Sequence, residues 1–135
     1  MVRVALLDLK DPKNRNRWII GTPEDVPKTS PFYSEQIQIA YVKNPQKGLL
    51  EKGEEHSHTP PIEEYYLVLE GTLTVKVEDK EITIKPNQIL IIPPEKRHKI
   101  TDYTLPLQCF TIRAPISTKK NKNNTIKGRL TPFAT

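Results

Sequence analysis

Thirteen prolines against five glycines in 135 residues restrict this chain more than any other feature. Each proline fixes its own φ, removes a backbone donor and biases the residue before it away from the helical region. The chain is therefore cut into many short elements with stiff connections, and long helices are not expected. Between the cuts the pattern is that of strands. EQIQIAYV alternates isoleucine with polar or small residues and ends at KNPQKG. LTVKV places Leu73, Val75 and Val77 on one face and Thr74 and Lys76 on the other, as a half-buried strand requires. A short strand near Glu55 to His58, then EYYLVLE, EITI, QILII, HKIT and LQCFTIR, continue the series, separated by TPPI, the hairpin turn EDKE, KPN and PPEKR. Short strands at a spacing of roughly 8 to 12 residues, with turn signals between them, predict an all-β antiparallel sandwich or barrel. Val2 to Leu9 and RWII add one or two N-terminal strands around the turn-rich KDPKNRN, and GTPEDVPKTSPF reads as a long connection.

The length suits one domain over residues 1–135 and is too short for two independent cores. The single Cys109 lies in the apolar run LPLQCFTI, which excludes an internal disulfide and fits a small buried hydrophobe in a reducing compartment, so a cytoplasmic location is expected. The apolar run of MVRVALLDLK is too short for the core of a signal peptide, and no stretch approaches a membrane span, so no membrane partner is expected. A net charge of +5 raises the question of nucleic acid. The excess sits in LKDPKNRNR and RAPISTKKNKNNTIKGR, solvated segments in which no aromatic residue interleaves the C-terminal lysines, so no nucleic-acid partner is expected.

The chemistry concentrates in GEEHSHTPPIEEYYLVLEG. On an extended backbone residues i and i+2 share a face, so His56 and His58 project together. The proline turn that follows can bring Glu64 beside them, and the remaining histidine, His98, follows another proline turn at the start of a later strand. An isolated His-x-His on a surface is often only solvated, but here all three histidines of the chain fall in the pattern. Three imidazoles and a carboxylate suit a divalent transition metal such as manganese, iron, nickel, copper or zinc, with positions left for water or substrate.

These residues resemble the cupins, small β-barrels with two histidine-containing motifs, and in particular the single-domain cupin 2 type. In HSHTPPIEEYYLVLEG the His-x-His pair is followed by Glu64, with six residues between it and Gly71. In NQILIIPPEKRH, Pro93 and His98 stand at the separation of the second motif. The match covers residues 48 to 113 and departs from the family at four places. Leu50 stands where a glycine precedes the histidines, Asn87 replaces the first glycine of the second motif, Glu95 its turn glycine, and Asp102 a frequent asparagine.

The resemblance implies a jelly-roll barrel (double-stranded β-helix) over about residues 35–113, with an N-terminal arm at 1–34 and a polar, basic tail at 114–135. It also implies His56, His58, Glu64 and His98 as metal ligands, a small-molecule substrate or ligand, and a homodimer that covers sheet edges. Glu63 is expected as an exposed neighbour or a group behind the ligands, and Tyr65 and Tyr66 face opposite ways, one into the core and one free to line a pocket. Gln36, Gln38, Gln108, Arg97 and Arg113 are candidate substrate contacts, each more simply read as a polar residue of the barrel wall or rim. Trp18, Phe32 and Tyr33 are candidates to cover an opening or a subunit interface. Three functions remain open: a metal-dependent enzyme, whether dioxygenase, isomerase or decarboxylase; a non-catalytic module that binds or senses a sugar or carboxylate; and a structural metal protein whose closed site stabilises the fold.

Overall fold

The computed structural model describes residues 4–51, 53–116 and 125–126. Among the described residues ten strands follow in chain order: β1 (Arg17–Ile20), β2 (Gln38–Lys43), β3 (Ser57–His58), β4 (Glu63–Glu70), β5 (Leu73–Val77), β6 (Lys80–Ile84), β7 (Gln88–Ile92), β8 (His98–Tyr103), β9 (Gln108–Ala114) and β10 (Thr125–Ile126). A single 3-10 turn, Pro12–Asn14, is the one helical element among the described residues. Every strand pairing is antiparallel, and the chain is an all-β barrel of jelly-roll type.

One wall is the five-stranded sheet β1-β2-β9-β4-β7. The other is built from β6-β5-β8 and β10-β3, which are linked where His56 and His98 exchange backbone hydrogen bonds of 3.0 and 2.8 Å. β4 shows the expected alternation, with Glu64, Tyr66 and Val68 buried and Glu63, Tyr65 and Leu67 half-exposed. The registers align Gln38, Arg113, Glu64 and Ile92 in one row across the large sheet. Ala40, Thr111, Tyr66 and Leu90 form the next row.

The apolar core takes in Ile92 and Tyr66 from those rows and extends beyond them through Val42, Leu50, Val68, Leu73, Val75, Ile84, Leu107 and Cys109. Each fully buried aliphatic side chain there contributes about 1.5–3 kcal/mol relative to exposure. Leu50, at the position of the expected glycine, is a core residue and only 1% exposed. Gly71 turns β4 into β5 with φ +78°, and a Cβ there would lie 2.3 Å from the carbonyl oxygen of Pro106, so the backbone approach itself requires glycine.

The N-terminal expectation holds only for RWII, which is β1. Val4 and Leu6 are exposed and residues 4–8 join no sheet. Local bonds explain where the chain turns instead: the Asp8 and Asp11 carboxylates accept from the backbone N–H groups of Lys10 and Lys13, and Asn14 Nδ2 donates to the Asp8 carbonyl. Met1 to Arg3 and most of the basic C-terminal segment lie outside the described residues. Thr125 and Ile126 pair with His58 and Ser57 along the outer edge of β3.

Candidate metal centre

The sequence builds the centre from two strand edges and one sheet row. β3 is short because TPPI follows at once, yet it is extended enough for His56 and His58 to turn inward together, each 3% exposed. The backbone pairing of His56 with His98 fixes the second motif against the first. The turn that delivers His98 is closed by the Glu95 N–H, which donates to the His58 carbonyl at 2.8 Å. Glu95 adopts φ +72° there and Asn87 φ +68°, so both glycine replacements take the left-handed conformation that the turns demand. Glu64 enters from β4 and is fully buried.

His58 Nε2 lies 2.6 Å and His98 Nε2 2.9 Å from Glu64 Oε1, and His56 Nε2 lies 3.9 Å from the same oxygen. One ligand atom from each of the four residues falls within 4.8 Å of the others. The tautomers of two imidazoles follow from their outer partners. His56 Nδ1 faces the Glu54 carbonyl and His98 Nδ1 the Lys96 carbonyl, both at 2.8 Å. A carbonyl can only accept, so each Nδ1 carries hydrogen and Nε2 is turned inward as a donor atom for a metal, an arrangement typical of metal-bound histidine. His56 Nε2 and Glu64 Oε2 are buried with no hydrogen-bond partner. Two orphaned acceptors among converging imidazoles fit a divalent transition ion.

The electrostatics describe the same cluster without an ion. Burial works to raise the Glu64 pKa, but the Arg113 and His98 charges and the His58 hydrogen bond outweigh it and hold the carboxyl well below its usual range. Burial lowers His58 to about 4 despite its bond to Glu64, so that imidazole is neutral. Burial also opposes charge on His98, but Glu64 and the Lys96 carbonyl prevail and raise it. In the metal-free centre these directions favour charge on His98, beside ionised Glu64, over charge on His58.

Arg113 is the candidate contact that the fold carries into this centre. It is 6% exposed, its Nε lies 3.5 Å from Glu64 Oε1, and its guanidinium stacks 4.8 Å from the centroid of the buried Trp18 ring. Period-2 alternation along Cys109, Thr111 and Arg113 was the signal for its inward direction. Trp18 covers this end from inside as a packing partner of Arg113, a role that the sequence left open. Half-buried Gln38 lies beside Arg113 in the row, and its Nε2 is 3.4 Å from Thr22 Oγ1.

The other candidates are elsewhere. Gln36 is exposed, Gln108 Nε2 donates to the Tyr41 hydroxyl, and Arg97 forms a half-exposed ion pair with Glu55 at 3.7 Å. The Tyr65 hydroxyl donates to Glu63 at 2.6 Å on the outer face, so neither lines the centre, and Tyr66 is the core tyrosine. Tyr33 bonds Glu35, and Phe32 is half-buried in the same connection.

Comparison with known proteins agrees with this fold. The family model for the cupin domain matches residues 49–112. A protein from Planctomyces limnophilus is 15% identical, with 87% of this chain and 94% of that one covered and a TM-score of 0.52. TT1209 from Thermus thermophilus is 18% identical over 82% of this chain and 96% of its own, with a TM-score of 0.51. A cupin-2 domain containing protein from Shewanella frigidimarina is 24% identical over 59% of this chain and 69% of its own, with a TM-score of 0.43. At these identities the likeness is one of fold. No curated protein matches the chain.

Proposed function

We propose, on the premise that this chain is a small cupin-domain protein, that His56, His58, Glu64 and His98 bind one divalent transition metal ion in a metal-dependent enzyme acting on a small polar molecule. The observation that carries the proposal is the set of four buried residues with ligand atoms within 4.8 Å of one another, together with His56 Nε2 and Glu64 Oε2 left without hydrogen-bond partners. When bound, the ion would supply Lewis-acid polarisation of a substrate oxygen, which serves isomerase and decarboxylase chemistry, or, if it is redox-active like iron, the electron transfer that a dioxygenase requires. The chain's own residues do the rest. The Glu54 and Lys96 carbonyls orient His56 and His98, and Arg113 keeps Glu64 ionised as a ligand. The enclosing walls exclude bulk water.

Four protein ligands on a six-coordinate ion leave positions for exchangeable water. Manganese-loaded protein is expected to enhance solvent-proton relaxation strongly, with the enhancement falling when a small ligand displaces water. No enhancement would make the centre a closed structural site. Displacement without turnover would make the chain a binding or sensing module.

The proposal treats residues 1–135 as one cupin domain of a cytoplasmic homodimer that does not bind nucleic acid. Exposed Leu69, Ile89 and Ile91 on β4 and on the β7 edge support an apolar subunit contact. The buried Cys109, whose thiol burial pushes up to about 12, suits a reducing compartment. Light scattering should give twice the chain mass; a monomer at working concentration would remove the dimer.

A further inference from the structure

The metal cluster leaves part of the buried polar chemistry unused. Arg113 Nε and Nη2 both lie buried with no hydrogen-bond partner. These two nitrogens form one side of the guanidinium, the planar fork that receives a carboxylate through two parallel N–H···O bonds. Glu64 does not fill it: Nε is 3.5 Å from Oε1, an ion-pair distance without a hydrogen bond, and Oε1 is already met by His58 and His98. A buried guanidinium edge left without acceptors is costly. The built geometry, with the guanidinium on the Trp18 face, holds the edge in a fixed place.

Charge points the same way. A divalent ion beside Arg113 outweighs Glu64. Half-buried Asp25 feels both Arg113 and Arg17, so it cannot neutralise both. With the ion bound the centre is net positive and its side chains are buried, which favours an anionic ligand.

We propose that the Nε/Nη2 edge of Arg113 is a carboxylate-binding subsite, and that the molecule taken by this centre is a small organic acid with its carboxylate on Arg113 and a neighbouring oxygen directed to the metal. This rests on the metal reading above for its second contact but not for its first. Arg113 is a specificity-determining residue, and a neutral amide of the same shape, with one acceptor oxygen in place of two, leaves one arm of its fork unpaired.

Trp18 is the sole tryptophan of the chain and touches Arg113, so its fluorescence reports the subsite. Formate, the smallest carboxylate, and formamide, its neutral counterpart, are titrated into the wild-type protein with and without metal, and metal content is measured on the same samples. Saturable change with formate, at an affinity at least about tenfold above that for formamide, is expected in both forms and stronger in the metal-loaded one. Arg113→Lys keeps the charge without the fork and should lose about tenfold in formate affinity, with formamide unaffected and the thermal melt showing a folded protein. Equal responses to formate and formamide, or none to formate, would overturn the subsite and leave the fork to ordered water. Formate binding in a protein that takes up no metal would instead sink the metal proposal and leave the subsite standing.

Discussion

The two ends of the barrel interior are made by the same strands and the same alternation, yet they are stabilised in opposite ways. β4 runs through both, with Glu64 at one end and Val68 at the other, each fully buried. At the apolar end, Leu73, Val75, Ile84 and Leu107 give up only unfavourable contact with water. At the polar end, three imidazoles, a carboxylate and a guanidinium are desolvated together, and paired charges repay that cost only in part. One end holds the fold; the other is held by it, ready for a ligand.

If that contrast is right, damage at the apolar end acts on stability whatever the centre holds. Leu73→Ala should cost about 2–5 kcal/mol in denaturant unfolding, equally with and without metal. A loss that vanished on adding metal would show the two ends to be coupled. Removing the ion from loaded protein acts at the polar end alone: free metal at 100 times its Kd contributes about 2.7 kcal/mol, which a chelator should abolish as a fall in Tm. An unchanged Tm would break the comparison from that side.

Acid sharpens it further. In the metal-free protein folded His58 titrates at about 4 whereas the unfolded chain takes that proton near 6.5. The folded state therefore binds fewer protons in this window. Stability is full above about 6.5 and is lost as pH falls toward about 4. Glu64, held low, adds a loss at lower pH still. His98, raised, has the opposite sign: it stabilises below about 6.5 and its contribution disappears as pH rises through its folded value. Melts at pH 7 and 5 should show the metal-free protein weaker at 5, with His58→Ala flattening the difference.

The apolar end was written plainly in the sequence. LTVKV is β5 residue for residue, and its inward set is Leu73, Val75 and Val77. The four converging donors were legible as well, because i,i+2 spacing and two proline turns need only extended backbone to meet. What local pattern could not supply was pairing at a distance. The His56–His98 bridge, the β10–β3 pair and the meeting of Arg113 with Trp18 join residues far apart in the chain. The apolar run from Val2 to Leu9 read as a strand because hydrophobicity carries no record of whether a partner edge is available.

The smallest effect lies in the turn that delivers His98 to the polar end. Glu95 is held at φ +72°, where an L side chain costs about 1–2 kcal/mol and glycine's greater unfolded freedom returns about 0.5–1. Glu95→Gly should thus stabilise by about 0.5–1 kcal/mol without changing metal content. Destabilisation would mean that the side chain itself supports the turn.

The most direct test is elemental analysis of untagged protein, native and His58→Ala, purified side by side. The account predicts close to one transition-metal ion per native chain and loss of that ion in a variant that still melts cooperatively. Equal metal in both, or none in the native protein after incubation with manganese, iron, nickel, copper and zinc in turn, would contradict it.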